Sequence, residues 1–345
     1  MDLAAFDYDL PPEAIAQAPA PDRDASRLLL IDRRRRDFAD HIFADLPALL
    51  QAGDCLVINN SRVIPARVLA RDEAGRRIEL LFVEPVGPER WRALTRPGRR
   101  TRSGVQLTVG EPPAAARLRI AGVEPEGPRL VEREDGTIAD LLARHGRVPL
   151  PPYIRRFATP DAADAERYQT VYARPPGSVA APTAGLHFTT ALLDRLRERG
   201  VEVHELTLHV GPGTFRPITA PQVEAHVLPP ERVVVPAAVA EAVNRARTEG
   251  RRVVAVGTTT TRALEGAADA EGRVQPLEGL VGLYITPGYR FRVVDALITN
   301  FHLPRSSLLV LVSAFAGRTL ILDAYRHALK AGYRFYSYGD ACLIV

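Results

Sequence analysis

The sequence predicts an α/β fold, a mixed α/β main domain with an inserted small β-barrel domain, and three features of the chain point to it. Helical and extended patterns alternate through its second half. Short alternating strands separated by Gly and Pro turns fill the stretch after Arg67. A proline-rich joint, Val148-Pro149-Leu150-Pro151-Pro152, then returns the chain from the second pattern to the first. The main domain is expected over residues 1–67 and 148–345, and the inserted barrel over residues 68–147.

From Asp7 to Arg67 short helices mix with strands. Leu28-Leu29-Leu30-Ile31 reads as an apolar strand and Arg33 to Arg36 as the solvated tip of a hairpin. Cys55-Leu56-Val57-Ile58 is a second apolar strand, which runs into the polar turn Asn59-Asn60-Ser61-Arg62. In the insert, Arg77 to Val83, Trp91 to Leu94, Val105 to Val109 and Ala116 to Ile120 form short strands between tight turns, the pattern of a small barrel or sandwich. Beyond the joint, a helix from Thr189 to Arg199 precedes a strand from Val201 to Leu208, and a helix from Ala237 to Glu249 precedes a strand from Arg252 to Val256. A helix from Leu320 to Ala331 follows the apolar run Leu308 to Ser313. No internal repeat interrupts this order.

Composition bounds the function. With 345 residues, 46% hydrophobic and 25% charged, the chain can bury one large core and a smaller one. Cys55 and Cys342 sit in apolar surroundings without CxxC or Cys/His spacing, so they read as buried small hydrophobes rather than as a disulfide or metal ligands. The N-terminus is acidic and aromatic, not basic then apolar, and no apolar run is long enough to span a bilayer; a cytoplasmic monomer without membrane contact is expected. The sequence pI is about 9.2, and the positive charge is nearly all arginine, Lys330 being the sole lysine. Arginine forks bind phosphates at two points, so Arg96-Pro97-Gly98-Arg99-Arg100-Thr101-Arg102 and Arg155-Arg156 are candidate RNA contacts, although basic clusters also arise as plain solvated surface.

Four segments stand out chemically. The turn Val179 to Phe188 packs small residues around His187, the only group there that can exchange a proton near neutral pH. Taken alone, a loop histidine is as well explained by a structural hydrogen bond. Leu206-Thr207-Leu208-His209-Val210-Gly211-Pro212-Gly213 and Thr299-Asn300-Phe301-His302-Leu303-Pro304 repeat the theme, and all three histidines are expected at junctions of strands with loops, where α/β folds bind ligands. Val253-Val254-Ala255-Val256 leads into Gly257-Thr258-Thr259-Thr260-Thr261 and a helix at Arg262. Such a turn suits an anion or a nucleoside, with plain N-capping by threonine as the alternative; it is neither a P-loop nor a GxGxxG fingerprint. Thr183, Gly185, Gly257, Thr258, Thr259 and Arg262 are therefore the candidate cofactor contacts.

These segments together resemble the S-adenosylmethionine:tRNA ribosyltransferase-isomerase family of queuosine biosynthesis. The resemblance runs over essentially the whole chain. It rests on Phe6 to Pro11, Asn59 to Arg67, Pro149 to Ile154, Glu166 to Ala173, Pro182 to Phe188 and Leu208 to Phe215, then on Val256 to Arg262, Pro287-Gly288-Tyr289, Thr299 to Pro304, Ser313 to Gly317 and Tyr333 to Asp340. One departure stands in it: where the family commonly has His-x-Met-His-x-Glu, this chain reads His226-Val227-Leu228-Pro229-Pro230-Glu231. Pro229 removes an imidazole and a backbone donor, so no proton transfer falls to that position and attention shifts to His187, His209 and His302.

The resemblance implies transfer of the ribosyl part of S-adenosylmethionine, a co-substrate, to 7-aminomethyl-7-deazaguanine at the wobble position of tRNA. Epoxyqueuosine forms, and adenine and methionine leave. It implies no metal. Such chemistry needs a base for the C5′–H made acidic by the sulfonium, an acid for departing adenine and a neutral attacking amine. His187, His209, His302 and Asp340 suit the proton steps, in an assignment among them that the sequence leaves open. Asn59, Asn60 and Asn300 can read base or ribose edges without charge, while Arg62, Arg99, Arg100 and Arg155 are expected to meet the tRNA. Two other classes compete. A non-catalytic RNA-binding module would have no use for three strand-end histidines, and a nucleotide hydrolase would show a phosphate-binding lysine or a carboxylate pair beside Gly257, which this sequence does not.

Overall fold

The computed structural model describes residues 1–111, 115–124, 127–156, 162–215 and 218–345. They form two compact units, one of Met1–Arg62, Gln169–Pro175 and Ala181–Val345, the other of Val63–Tyr168 and Pro176–Ala180.

The first unit is built on a nine-stranded sheet. At its centre lie four parallel strands in the spatial order Glu202–Leu208, Cys55–Asn59, Val253–Val256, Ala296–Asn300. Parallel neighbours need crossovers, and helices Ala237–Thr248 and Thr258–Gly266 lie on the two that follow Leu208 and Val256. Because successive side chains alternate across a strand, Leu56 and Ile58, Val254 and Val256, and Ala296 and Ile298 share one face, where Phe43, Leu192 and Leu196 complete a buried core. Ala341–Ile344 adds antiparallel to Ala296–Asn300 and parallel to Arg27–Asp32. Arg27–Asp32 then pairs antiparallel with Asp37–Ile42, so Arg33 to Arg36 do form a hairpin tip. On the other edge Glu231–Val235 and Leu277–Val281 add antiparallel.

The apolar run at Leu308 folds as helix Ser307–Ala316 and is buried on nearly every side, which is why it shows no helical polar face in the sequence. Gly317, at φ +88°, allows the chain to turn by 113° into helix Arg318–Lys330. Among the described residues no single helix is long and apolar enough to cross a membrane.

The second unit is a closed antiparallel barrel of six strands, in the order Arg129–Arg133, Arg90–Arg96, Arg77–Pro85, Arg67–Asp72, Gln106–Val109, Ala116–Val123. Its inward positions, among them Val68, Ile78, Leu80, Phe82, Leu118 and Ile120, alternate with outward polar ones. Helix Ile138–His145, capped by Thr137, adds Ile138, Leu141 and Leu142 to that core. The unit extends beyond residue 147 because the next segment is tied to a barrel strand. Arg67 and Arg147 exchange backbone hydrogen bonds of 3.1 and 2.8 Å, and Arg67 Nη2 donates to the Leu150 carbonyl at 2.9 Å.

Candidate active site

Four parallel strands end side by side, and each runs into a polar turn. Cys55–Asn59 leads to Asn60-Ser61, Glu202–Leu208 to His209, Val253–Val256 to Gly257-Thr258-Thr259, and Ala296–Asn300 to Phe301-His302. In chain order the spatial sequence is second, first, third, fourth, so the winding reverses between Cys55–Asn59 and Val253–Val256. Beyond the carboxyl ends of such a pair an α/β sheet opens a crevice. Its two lips are Asn59 and Thr259, and Asn59 Nδ2 approaches Thr259 Oγ1 at 3.4 Å.

Gly257 starts helix Thr258–Gly266 at φ +89°, a conformation that a Cβ would strain, and no side chain caps that N-terminus. The threonine-capping alternative is not taken up. Thr260 and Thr261 donate backwards to the carbonyls of Val256 and Gly257 at 2.6 and 3.2 Å, which leaves the helix end to Thr258 and Thr259. One turn further on, Arg262 is only 2% exposed and ion-paired to Glu231, whose Oε1 also accepts from Gly211 N–H at 2.9 Å. Glu231 is a member of the site that sequence reasoning missed. Its signal was present, a lone carboxylate opening the apolar strand Glu231–Val235, where burial demands a cationic partner.

His187 does not sit at a strand end but in a 3-10 turn, Thr183–His187, ahead of helix Thr190–Glu198. Its environment fixes its charge. Asn300 Nδ2 must donate to the Asp340 carbonyl, 3.4 Å away, and the same nitrogen faces His187 Nε2 at 3.2 Å, so Nε2 accepts. His187 Nδ1–H then donates to Ser26 Oγ at 2.7 Å, and the Ser26 hydroxyl donates in turn to the Arg23 carbonyl at 3.2 Å. Burial, reinforced by the nearby Arg334 charge, pushes the His187 pKa down to about 3. Both ring nitrogens are thus engaged by neighbouring side chains in a neutral ring.

His302 follows its strand as expected, but it too is buried, pushed down to about 3 by desolvation, with Nε2 3.0 Å from Thr299 Oγ1. Its backbone is held by the Tyr8 and Tyr325 hydroxyls at 2.6 and 3.1 Å. His209 differs. It is half-buried, its Nδ1 lies 2.9 Å from Ser61 Oγ, and burial followed by the Arg232 charge lowers its pKa.

Other expected site residues serve the scaffold. The Asp340 carboxylate accepts from the backbone N–H groups of Arg27 and Arg334 at 2.9 and 2.8 Å and closes a loop. Asn300 is a hub, accepting from Thr183 Oγ1 at 2.7 Å on the oxygen of its amide. Asn60 donates to Glu205 at 2.9 Å and accepts from Thr207 at 2.7 Å. Asn59 brackets Leu208, accepting from its N–H at 3.0 Å and donating to its carbonyl at 2.9 Å. At Gly185 the space of a Cβ is already filled, the Tyr172 hydroxyl lying 2.2 Å from where it would stand, so internal packing alone requires a glycine here. On the second unit, Arg99 and Arg155 are exposed, Arg100 is half-buried, and Arg156 is drawn inward to Asp164 at 2.6 Å. Arg62, in the first unit, is exposed. Among the described residues no group of three or more His, Cys, Asp or Glu side chains is placed to hold a metal.

A family model described as "Queuosine biosynthesis protein" matches residues 3–344. The chain belongs to the queuosine biosynthesis protein family. Relatives within that family align end to end. A Moorella thermoacetica protein named S-adenosylmethionine:tRNA ribosyltransferase-isomerase is 51% identical over 100% of both chains. A Thermus thermophilus protein of the same name is 52% identical over 99% of both. The crystal structure of a Thermotoga maritima S-adenosylmethionine tRNA ribosyltransferase is similar at 35% identity, covering 99% of this chain and 100% of that one with a TM-score of 0.55. The ring carbons of Pro229 stand 3.2 Å from the missing Cβ position of Gly213, in the turn after His209.

Proposed function

We propose that this member of the queuosine biosynthesis family transfers the ribosyl moiety of S-adenosylmethionine to the aminomethyl group of 7-aminomethyl-7-deazaguanine in the tRNA anticodon, giving epoxyqueuosine and releasing adenine and methionine. The observation that carries this reading is the end-to-end identity of about half with relatives that bear the ribosyltransferase-isomerase name. The reversal of winding at Asn59 and Thr259 supports it, with an uncapped helix N-terminus beside the carboxyl ends of the parallel strands.

Gly257, Thr258, Thr259 and Arg262 are the proposed S-adenosylmethionine contacts. His209 is the proposed proton-transfer group, because it is the one of the three candidate imidazoles that is not fully enclosed. With Nδ1–H donated to Ser61, Nε2 carries the lone pair that can take the C5′ proton beside the sulfonium. A lowered pKa keeps that ring neutral at pH 7, as a base must be. His187, Asn300 and Thr183 hold the floor of the site in place. Arg62, Arg99, Arg100 and Arg155 are proposed to meet the tRNA backbone.

Incubating the protein with S-adenosylmethionine and tRNA carrying the modified base tests this. Stoichiometric adenine and methionine are expected. Their absence with a well-folded protein and fully modified tRNA would sink the reading.

A further inference from the structure

The turn that carries His209 is held by one neighbouring segment at three points in succession. His209 N–H donates to the Arg232 carbonyl at 2.9 Å, which carries the pairing of strands Glu202–Leu208 and Glu231–Val235 one step beyond Leu208. Two residues on, Gly211 N–H donates to Glu231 Oε1 at 2.9 Å. Two further on, the Pro229 ring fills the space beside Gly213, its carbons 3.2 Å from where a Cβ would stand. The middle point is made by a carboxylate, which holds an N–H more firmly than a neutral acceptor does. That carboxylate is anchored a second time, through Oε2, by Arg262 Nη2. Glu231 is thus a bridge, one oxygen on the His209 turn and the other on helix Thr258–Gly266.

Both members of the ion pair are buried, Glu231 at 7% exposure and Arg262 at 2%. Desolvation offsets most of the attraction between such charges, so a buried pair adds little net stability. What it fixes here is geometry. Arg262 follows Thr258 and Thr259, two of the proposed S-adenosylmethionine contacts, by four and three positions, which places the three on one face of the helix. At the other end of the bridge, Gly211 is two residues from His209, whose Nδ1 lies 2.9 Å from Ser61 Oγ. Ser61 sets the direction of the ring, and the Glu231 contact sets the backbone that carries it.

We propose that Glu231, clamped by Arg262, is a positioning residue for the ribosyl transfer. It holds the His209 turn in register with the first turn of helix Thr258–Gly266, so that Nε2 of the base meets C5′ of a co-substrate bound there. The inference rests on the function proposed above, in which His209 is the base, and adds to it the device that sets the distance between base and co-substrate. Displacing a reacting group by about 1 Å costs on the order of a hundredfold in rate, so the bridge bears on turnover more than on affinity.

Single-turnover rates in a double-mutant cycle test this, with Glu231→Gln made in wild type and in His209→Ala. Gln fills the same volume and still offers an oxygen to Gly211, but its neutral amide does not clamp the guanidinium. Glu231→Asp keeps the buried guanidinium compensated while shortening the bridge, and it is read in the same way should Glu231→Gln fold poorly. In wild type either substitution is expected to slow ribosyl transfer by about 10- to 100-fold, with S-adenosylmethionine affinity by calorimetry within about threefold. In His209→Ala the same substitution is expected to slow it by less than about twofold, because a residue that acts through His209 has nothing left to position. Equal slowing in both backgrounds, or none in wild type, overturns the positioning role and leaves the enzyme assignment standing. A His209→Ala variant as fast as wild type overturns the base and the positioning role together, and a wild type that releases no adenine or methionine overturns the proposed function and this role with it.

Discussion

Asn300 Nδ2 stands 3.2 Å from His187 Nε2 and thereby fixes the imidazole as a neutral acceptor, because the same nitrogen is bound to donate to the Asp340 carbonyl. A histidine held in this way shapes a site without exchanging protons. Replacing His187 or His302 by alanine is accordingly expected to cost stability, about 2–4 kcal/mol for a buried, hydrogen-bonded ring, with turnover of the folded fraction within about tenfold of wild type. His209→Ala is expected to keep S-adenosylmethionine affinity and lose about a hundredfold or more in turnover. Melting curves and single-turnover rates on the three variants separate the two roles; equal turnover in wild type and the His209 variant would remove His209 from the chemistry.

Both buried imidazoles also make stability depend on pH. Their pKa values are pushed down to about 3 in the folded protein, against about 6.5 in an unfolded chain. Below pH 6.5 the unfolded state therefore binds protons that the folded state refuses, and stability falls as pH is lowered. By pH 5 the loss is about 2 kcal/mol per histidine, before most carboxylates titrate. Urea denaturation at pH 7 and pH 5 reads it directly, and His302→Gln is expected to flatten the slope. Stability unchanged between these pH values would contradict the neutral buried rings.

Asn59 clips the ends of two neighbouring strands, holding the Leu208 N–H and carbonyl and accepting from Ser61 N–H at 3.1 Å. Asn59→Ala strands these buried groups, with an expected loss of about 3 kcal/mol by chemical denaturation and weaker S-adenosylmethionine binding by calorimetry. Asn59→Asp restores the two acceptor contacts but not the donor to Leu208, so it is expected to fall between.

Arg99 and Arg100 have no carboxylate partner among the described residues, so both charges remain available for phosphates. Arg99→Gln/Arg100→Gln is expected to weaken tRNA binding and to lower the slope of log affinity against log salt by up to about 2, without changing S-adenosylmethionine binding. A salt slope equal to that of wild type would move the RNA surface elsewhere.

The architecture was legible because it is written in local periods. Val253 to Val256 and Leu206 to Leu208 are runs that only a buried parallel strand explains well, and the barrel strands alternate residue by residue. At the site, the Gly257 to Thr259 turn could be read because a glycine between a strand and a helix is a local signal. The partners of the histidines could not. Ser26 and His187 are 161 residues apart and meet only through the sheet order, and Ser61 reaches His209 across 148. Three histidines looked alike in sequence, and burial, which topology sets, is what separates His209 from the other two. The packing of Gly185 was hidden for a similar reason: the space beside it belongs to Tyr172, in a segment without any local sign of that contact. Glu231 was visible as a residue but not as a partner, since Arg262 lies 31 positions away, beyond an intervening helix and strand.

A structure of the protein with S-adenosylmethionine bound is the most direct measurement of where the chemistry occurs. Adenosine is expected over Gly257, Thr258 and Thr259 beside Asn59, with C5′ within reach of His209. S-adenosylmethionine found only within the six-stranded barrel, with the strand-end crevice empty, would contradict an active site at the carboxyl edge of the parallel strands.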